Sequence, residues 1–177
     1  VVVIWMDMTG SMMGDPIKMA KEFMFYLKSL LSTKYKNIEF RYVGFADRAQ
    51  EYQTEEEFFS SFINGGTDYT SGIGLTHEIL RSYSSERYDK FSFGIGDAED
   101  SKGAKSATML ADMIQETQYS AFIRTDTGHN YPDATFISGV ESLANSQKSF
   151  FGYAELKTLG ESGLDAIRKL LGKNRSK

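Results

Sequence analysis

The sequence contains no cysteine. That excludes disulfides and thiolate metal sites, and it leaves the compartment open. It has only two histidines. His77 falls among apolar residues of a predicted helix and His129 in a loop, without the paired spacing of a histidine metal site. No apolar run approaches the ~20 residues that span a bilayer. No excess of positive charge exists either: 20 Lys and Arg against 24 Asp and Glu give a net charge of -4. Nucleic acid and anionic membrane are therefore poor partners on electrostatic grounds. The basic tail (Lys169, Lys173, Arg175, Lys177) reads as a solvated end. A Walker loop is missing, and Gly10-Ser11-Met12 lacks the pattern of a nucleophile elbow. Gly94-Ile95-Gly96 lacks the third glycine of a dinucleotide fingerprint. Internal repeats and low-complexity segments are absent.

What is present is one domain's worth of chain. At 177 residues it can bury roughly two-thirds of its unfolded surface without staples. It opens inside a strand, without an initiator Met or a signal peptide, so a piece of a longer protein is expected. Strands and helices alternate, which predicts an α/β fold with a mostly parallel sheet. Val1 to Met6 is a continuous apolar run, as in a central strand covered on both faces. Asp15-Pro16 opens a helix, with Asp15 as expected N-cap, and Ile17, Ala20, Met24, Leu27 and Leu31 follow at helical spacing. Ile38 to Phe45 reads as a strand, and Ala49 to Gln53 as a short antiparallel edge strand with polar residues suited to exposure. Glu55 to Ile63 is a short helix. A Gly-rich loop from Asn64 to Thr70 feeds a helix from about Ser71 to Tyr83. Further strands are expected at Phe91 to Ile95, Tyr119 to Arg124 and Ser149 to Ala154. Helices are expected at Ser106 to Gln118, Asp133 to Asn145 and Glu161 to Leu171.

The chemistry concentrates at Asp7-Met8-Thr9-Gly10-Ser11, directly after the first strand. A carboxylate and two hydroxyls converge there, and hard oxygen donors suit a hard cation such as Mg2+. Gly10 allows the tight bend between the two hydroxyl residues. In an open parallel sheet, ligands bind beyond the carboxyl ends of the strands, where strand order reverses. Asp97 ends a later strand, and Gly65-Gly66-Thr67 lies in the connection between the two. If the strands carrying Asp7 and Asp97 are neighbours, three distant segments meet at one point. Because the hydroxyls are neutral, a bound cation keeps positive charge and a coordination position for a partner's carboxylate.

Asp7, Thr9, Ser11, Thr67 and Asp97 together resemble the metal-ion-dependent adhesion site of the von Willebrand factor A-type (vWA) domain. Its motif is Asp-x-Ser-x-Ser, a loop Thr and a later Asp. Here Thr9 stands for the first Ser, and Ala98 follows Asp97 where Gly is usual. The resemblance implies a three-layer α/β/α, Rossmann-like sandwich whose six-stranded sheet has one antiparallel edge strand. It also implies that these five residues bind Mg2+, Mn2+ or Ca2+. A narrower likeness covers residues 1 to 100. Ala20-Lys21-Glu22-Phe23, Thr33 to Glu39 and Glu56-Glu57-Phe58-Phe59 before Gly65-Gly66-Thr67 are similar to the bacterial YeaH/YhbH family. That family implies a cytoplasmic stress or sporulation role beside a serine protein kinase system, in longer proteins with a basic N-terminal region. This chain has Phe45-Ala46-Asp47 where the family tends to carry histidines, and Asp97-Ala98-Glu99 where it carries Asp-Gly-Asp.

The expected function is thus metal-dependent binding of a protein that offers an acidic residue, and not catalysis. One alternative is a phosphotransferase of the haloacid dehalogenase type. Thr9, however, stands where that chemistry needs a second carboxylate. The other is a metal-independent scaffold, in which Asp7 to Ser11 is an ordinary strand-end turn. Around the site, Thr70 or Ser71 is the expected cap of the next helix and Asp68 a loop surface residue. Glu99 and Asp100 are expected to tune charge and not to ligate. Met6 belongs to the core, while Met8, Met12 and Met13 line the rim or pack beneath it. Phe23, Phe25 and Tyr26 are expected to pack along the first helix. The partner-facing surface is expected to carry Met12, Asp68 and Asp97.

Overall fold

Alternation within one buried strand builds both halves of the core. In the computed structural model, which describes residues 1–172, β1 (Val2–Asp7) is buried along its whole length. Val2, Ile4 and Met6 pack into one apolar cluster, Val3 and Trp5 into another. A strand with period 2 and two covered faces must be apolar throughout. The remaining elements are α1 (Asp15–Lys34), β2 (Phe40–Phe45), β3 (Ala49–Tyr52), α2 (Glu55–Ser60), α3 (Tyr69–Ser82), β4 (Phe91–Gly96), α4 (Gly103–Met113), β5 (Tyr119–Thr125), α5 (Ala134–Ser146), β6 (Phe151–Leu156) and α6 (Glu161–Leu171). Short 3-10 turns lie at Gly10–Met12 and Ile114–Glu116.

The sheet runs β3-β2-β1-β4-β5-β6. Every pairing is parallel except β2 with β3. Phe23, Leu27 and Ile167 bring α1 and α6 onto one face, while Tyr69, Ile73, Leu110 and Phe136 bring α3, α4 and α5 onto the other. This is the expected three-layer α/β/α sandwich, with the antiparallel strand at the edge. No helix among the described residues is long and apolar enough to cross a membrane. Lys173, Arg175 and Lys177 of the basic tail lie outside the described residues.

Several local expectations are corrected. Asp15 is the first residue of α1, not its cap; Gly14 is the cap, at φ 86°, a conformation that glycine adopts without a Cβ penalty. Asp15 instead pairs with Lys18 one turn on, at 3.0 Å. The cap of α3 is Asp68, not Thr70 or Ser71: its carboxylate accepts from the Thr70 backbone N–H at 3.0 Å. A carboxylate at this position both satisfies an orphan donor and faces the positive end of the helix dipole. Of the expected partner-facing surface, Met12 and Asp97 are buried, with 1% and 0% exposure, and Met12 forms part of the wall of a groove beside Thr9. Phe25 is 67% exposed because it lies on the side of α1 away from the sheet. Phe23, two residues and about 200° away around the helix, lies in the core as expected.

Candidate metal centre

β1 and β4 are parallel neighbours, with Met6 opposite Ile95. Asp7 therefore ends one strand beside Gly96, and Asp97 leaves the next at the same end of the sheet. β2 and β4 flank β1 on opposite sides, so this is where strand order reverses. After Asp7 the Met8 N–H still reaches the Phe45 carbonyl at 2.8 Å, and the chain then turns out of the sheet. The turn is built on Asp7 itself. Its Oδ1 accepts the Thr9 backbone N–H at 2.8 Å and the Thr9 hydroxyl at 2.7 Å. A threonine hydroxyl that spends its proton this way keeps its lone pairs for another donor or a cation. The Thr9 and Ser11 hydroxyl oxygens lie 3.1 Å apart. Gly10 and Ser11 are exposed whereas Thr9 is buried, so the mouth of the site opens past Ser11.

The Thr67 hydroxyl stands 3.5 Å from the Thr9 hydroxyl. Its loop hangs between two others: the Asp68 N–H donates to the Ala46 carbonyl at 2.9 Å, and the Thr67 carbonyl accepts from Ser101 N–H at 3.1 Å. Asp97 is wholly buried. Its Oδ1 accepts the Glu99 N–H at 3.0 Å, and its Oδ2 lies 3.4 Å from the Asn130 side-chain amide. Asp7, Thr9, Ser11 and Thr67 are thus brought together by direct contacts, with Asp97 alongside and close enough to act on the charge of Asp7.

That charge has no counterpart of opposite sign. Among the described residues no ion pair involves Asp7 or Asp97. Burial first, and then the Asp97 carboxylate, push the Asp7 carboxyl up to about 7, against the two hydrogen bonds from Thr9 that favour the anion. The second Asp7 oxygen, Oδ2, is buried without any hydrogen-bond partner. A buried acceptor with no donor is costly. Two carboxylates, one with an orphaned oxygen, beside three hydroxyls are a donor set that fits a hard divalent cation. Among the described residues no three His, Cys, Asp or Glu side chains cluster as a metal cage. A cation here would therefore rely on the neutral hydroxyls as much as on the acids.

Tyr69 and Asn130 were not legible as site residues, and the roles of Ala98 and Asp100 are visible only in the fold. Tyr69 is fully buried, and its hydroxyl accepts the Ala98 N–H at 2.9 Å. Burial, then the charges of Asp7 and Asp97, keep this phenol neutral far above its ordinary range. Ala98 sits at φ 66°, a left-handed conformation that explains why glycine is usual after the Asp97 position. Asp100 Oδ1 accepts the backbone N–H of Tyr69 at 3.2 Å and of Lys102 at 3.1 Å, tying the loop after β4 to the start of α3. Asn130 comes from the loop after β5. A lone Asn in a loop carries no sequence signal, and only the fold puts it on Asp97.

Gly96 makes the floor possible. A Cβ there would lie 2.0 Å from the Tyr69 hydroxyl and 3.1 Å from the Asp7 Cβ. Tyr69 cannot retreat, because Trp5, Phe45, Phe122 and Phe136 surround its ring. Gly96→Ala is therefore expected to destabilise the domain by about 1–3 kcal/mol, the usual range for overpacking. Urea denaturation of the variant checks this, and an unchanged midpoint would mean that the floor is not close-packed.

The fold has solved counterparts. The SpRpn10 VWA domain matches with a TM-score of 0.70 at 12% identity, over 94% of this chain and 93% of that one. The manganese-loaded TRAP protein of Plasmodium vivax matches at 0.60 and 12%, over 96% and 72%. Proximal thread matrix protein 1 from the mussel byssus, solved with a zinc occupied MIDAS motif, matches at 0.58 and 16%, over 94% and 44%. Identities this low bear on fold alone. By sequence, the chain is 32% identical over 119 residues to a UPF0229 protein of Bacillus cereus, covering 66% of this chain and 30% of the relative. It is 39% identical over 98 residues to a UPF0229 protein of Pectobacterium carotovorum, covering 55% and 22%. The chain thus spans less than a third of the length of these two curated relatives. The family described as "Protein of unknown function (DUF444)" matches residues 1–174, and the chain belongs to that family.

Proposed function

We propose that this vWA-like domain is a divalent-metal-dependent protein-binding module and not an enzyme. Asp7, Thr9, Ser11, Thr67 and Asp97 hold the ion, and a partner's carboxylate completes its coordination. The observation that carries the reading is the buried, unpaired Asp7 Oδ2 in the field of Asp97, at a mouth lined by three hydroxyls. A divalent cation supplies the positive charge that the two carboxylates lack and an electrophilic position open to an incoming anion. Asp7 orients Thr9 through two hydrogen bonds, Thr67 closes the side towards α3, and exposed Ser11 faces the approaching partner. Mg2+ or Mn2+ suits so small and hydroxyl-rich a site better than Ca2+, which takes more ligands at longer distances. Two structural neighbours are named for a bound metal, zinc in a MIDAS motif in one and manganese in the other, which supports a metal-binding reading. Thr9 occupies the position where a haloacid dehalogenase-type phosphotransferase needs its acid, which supports binding over catalysis. A cytoplasmic stress or sporulation role beside a serine protein kinase, as in the YeaH/YhbH family, is the finer form of this proposal.

Calorimetric titration of Mg2+ into the metal-stripped chain tests it, with Asp7→Ala in parallel. Saturable binding that disappears in the variant is expected. Equal affinity in the two proteins would sink the site.

A further inference from the structure

The metal site has two unlike flanks. On one side lies a groove of about 190 Å³ lined by Met8, Thr9, Met13, Ile17, Phe59 and Phe62 among others. Thr9 belongs both to this groove and to the proposed metal ligands, so the two are continuous. At the groove's rim Met13 is 66% exposed and Phe62 52% exposed. Large apolar side chains exposed together around one recess make a candidate contact surface. Beyond Phe59, towards Phe25, the cleft between α1 and α2 turns mixed, with Lys21, Glu55 and Glu56 beside the two rings.

On the other side a cleft of about 480 Å³ is lined by Thr67, Glu99, Asp100, Tyr131 and Asp133. Thr67 joins this cleft to the metal site as Thr9 joins the groove. Its charged lining is acidic. Lys102, the basic residue closest in sequence, is committed to Asp68 at 2.6 Å. A second carboxylate on the partner would meet like charge here, whereas an Arg or Lys would be attracted.

Taken with the metal-dependent binding proposed above, on which it rests, the geometry points to one occupant. It is an extended protein segment whose metal-bound carboxylate lies between a bulky apolar side chain and a basic one. The apolar side chain enters the Met13/Phe62 groove, and the basic one faces Glu99, Asp100 and Asp133. An extended chain advances about 3.3–3.6 Å per residue, so residues near the carboxylate in sequence reach both flanks.

A random-peptide display library selected on the intact 177-residue chain, once with Mg2+ and once with chelator, tests this. Mg2+-dependent clones are expected to carry Asp or Glu with Leu, Ile, Phe or Met on one side and Arg or Lys on the other. Selection on the M13S/F62S double variant, whose changes are at exposed positions, is expected to lose the apolar preference and keep the basic one. Mg2+-dependent acidic clones without flanking preferences would overturn this inference and leave the metal-dependent reading standing. An apolar preference that survives in the double variant would equally overturn the groove. Identical selections with and without Mg2+ would overturn both.

Discussion

Asp7→Asn is expected to make the metal-free domain more stable while abolishing its affinity for metal. The native carboxylate is wholly buried, has one oxygen without a partner, and lies in the field of Asp97. Asparagine keeps a carbonyl for the two hydrogen bonds from Thr9 and puts a neutral donor where the unpaired oxygen was. The gain at neutral pH in chelator should be about 1–3 kcal/mol, a rise of several degrees in Tm for a domain of this size. With millimolar Mg2+ the order should reverse. The parent gains RT ln(1 + [L]/Kd) from binding, and the variant gains nothing. Thermal melts of both proteins under both conditions give four numbers that must cross. A parent as stable as the variant in chelator would mean that Asp7 is not under electrostatic strain. The argument for a cation would then lose its main support.

The pH dependence of the same melts should carry the second signature. The ordinary Asp value is 3.8, and burial with the Asp97 charge raises Asp7 to about 7. Between those values the folded state holds a proton that the unfolded state has released. Stability of the metal-free domain therefore falls as pH rises from about 4 to about 7 and is level above that, with a total change of a few kcal/mol. Many domains move the other way over the acid part of this range, because their paired carboxylates stabilise them once ionised. Asp7→Asn should remove most of the slope. Mg2+ must displace the proton to bind, so its affinity should weaken below pH 7. Calorimetry at pH 6 in buffers of different ionisation enthalpy should detect close to one proton released per ion. No proton release at pH 6 would place the ion away from Asp7.

Asp7, Thr9 and Ser11 were legible because one strand end carries all three, and one-residue spacings survive any packing of the rest. Thr67 and Asp97 needed one topological condition, that β1 and β4 be neighbours, and the alternation of strands with helices favoured it. The caps of α1 and α3 lie one to three residues before the polar residues that side-chain chemistry favours. Asp68, Thr70 and Ser71 are all competent caps, and Asp68 takes the position where backbone bonds to Ala46 and Ser101 hold the loop and the helix begins at Tyr69. Phe25 is exposed against expectation for a related reason. Apolar character predicts burial only when it is known which face of the element meets the sheet.

The sequence by itself determined the class of fold and the chemistry of the strand-end loop, because apolar periodicity and local ligand spacing are properties of neighbouring residues. Tertiary structure alone decided that Asn130 sits on Asp97, that Tyr69 props up Ala98, that Asp7 is left with an unpaired oxygen, and that an apolar groove and an acidic cleft flank the site. Each depends on loops that are distant in sequence meeting at one end of a twisted sheet. Pairwise contacts of that kind arise from packing the whole chain, and no window of neighbouring residues encodes them.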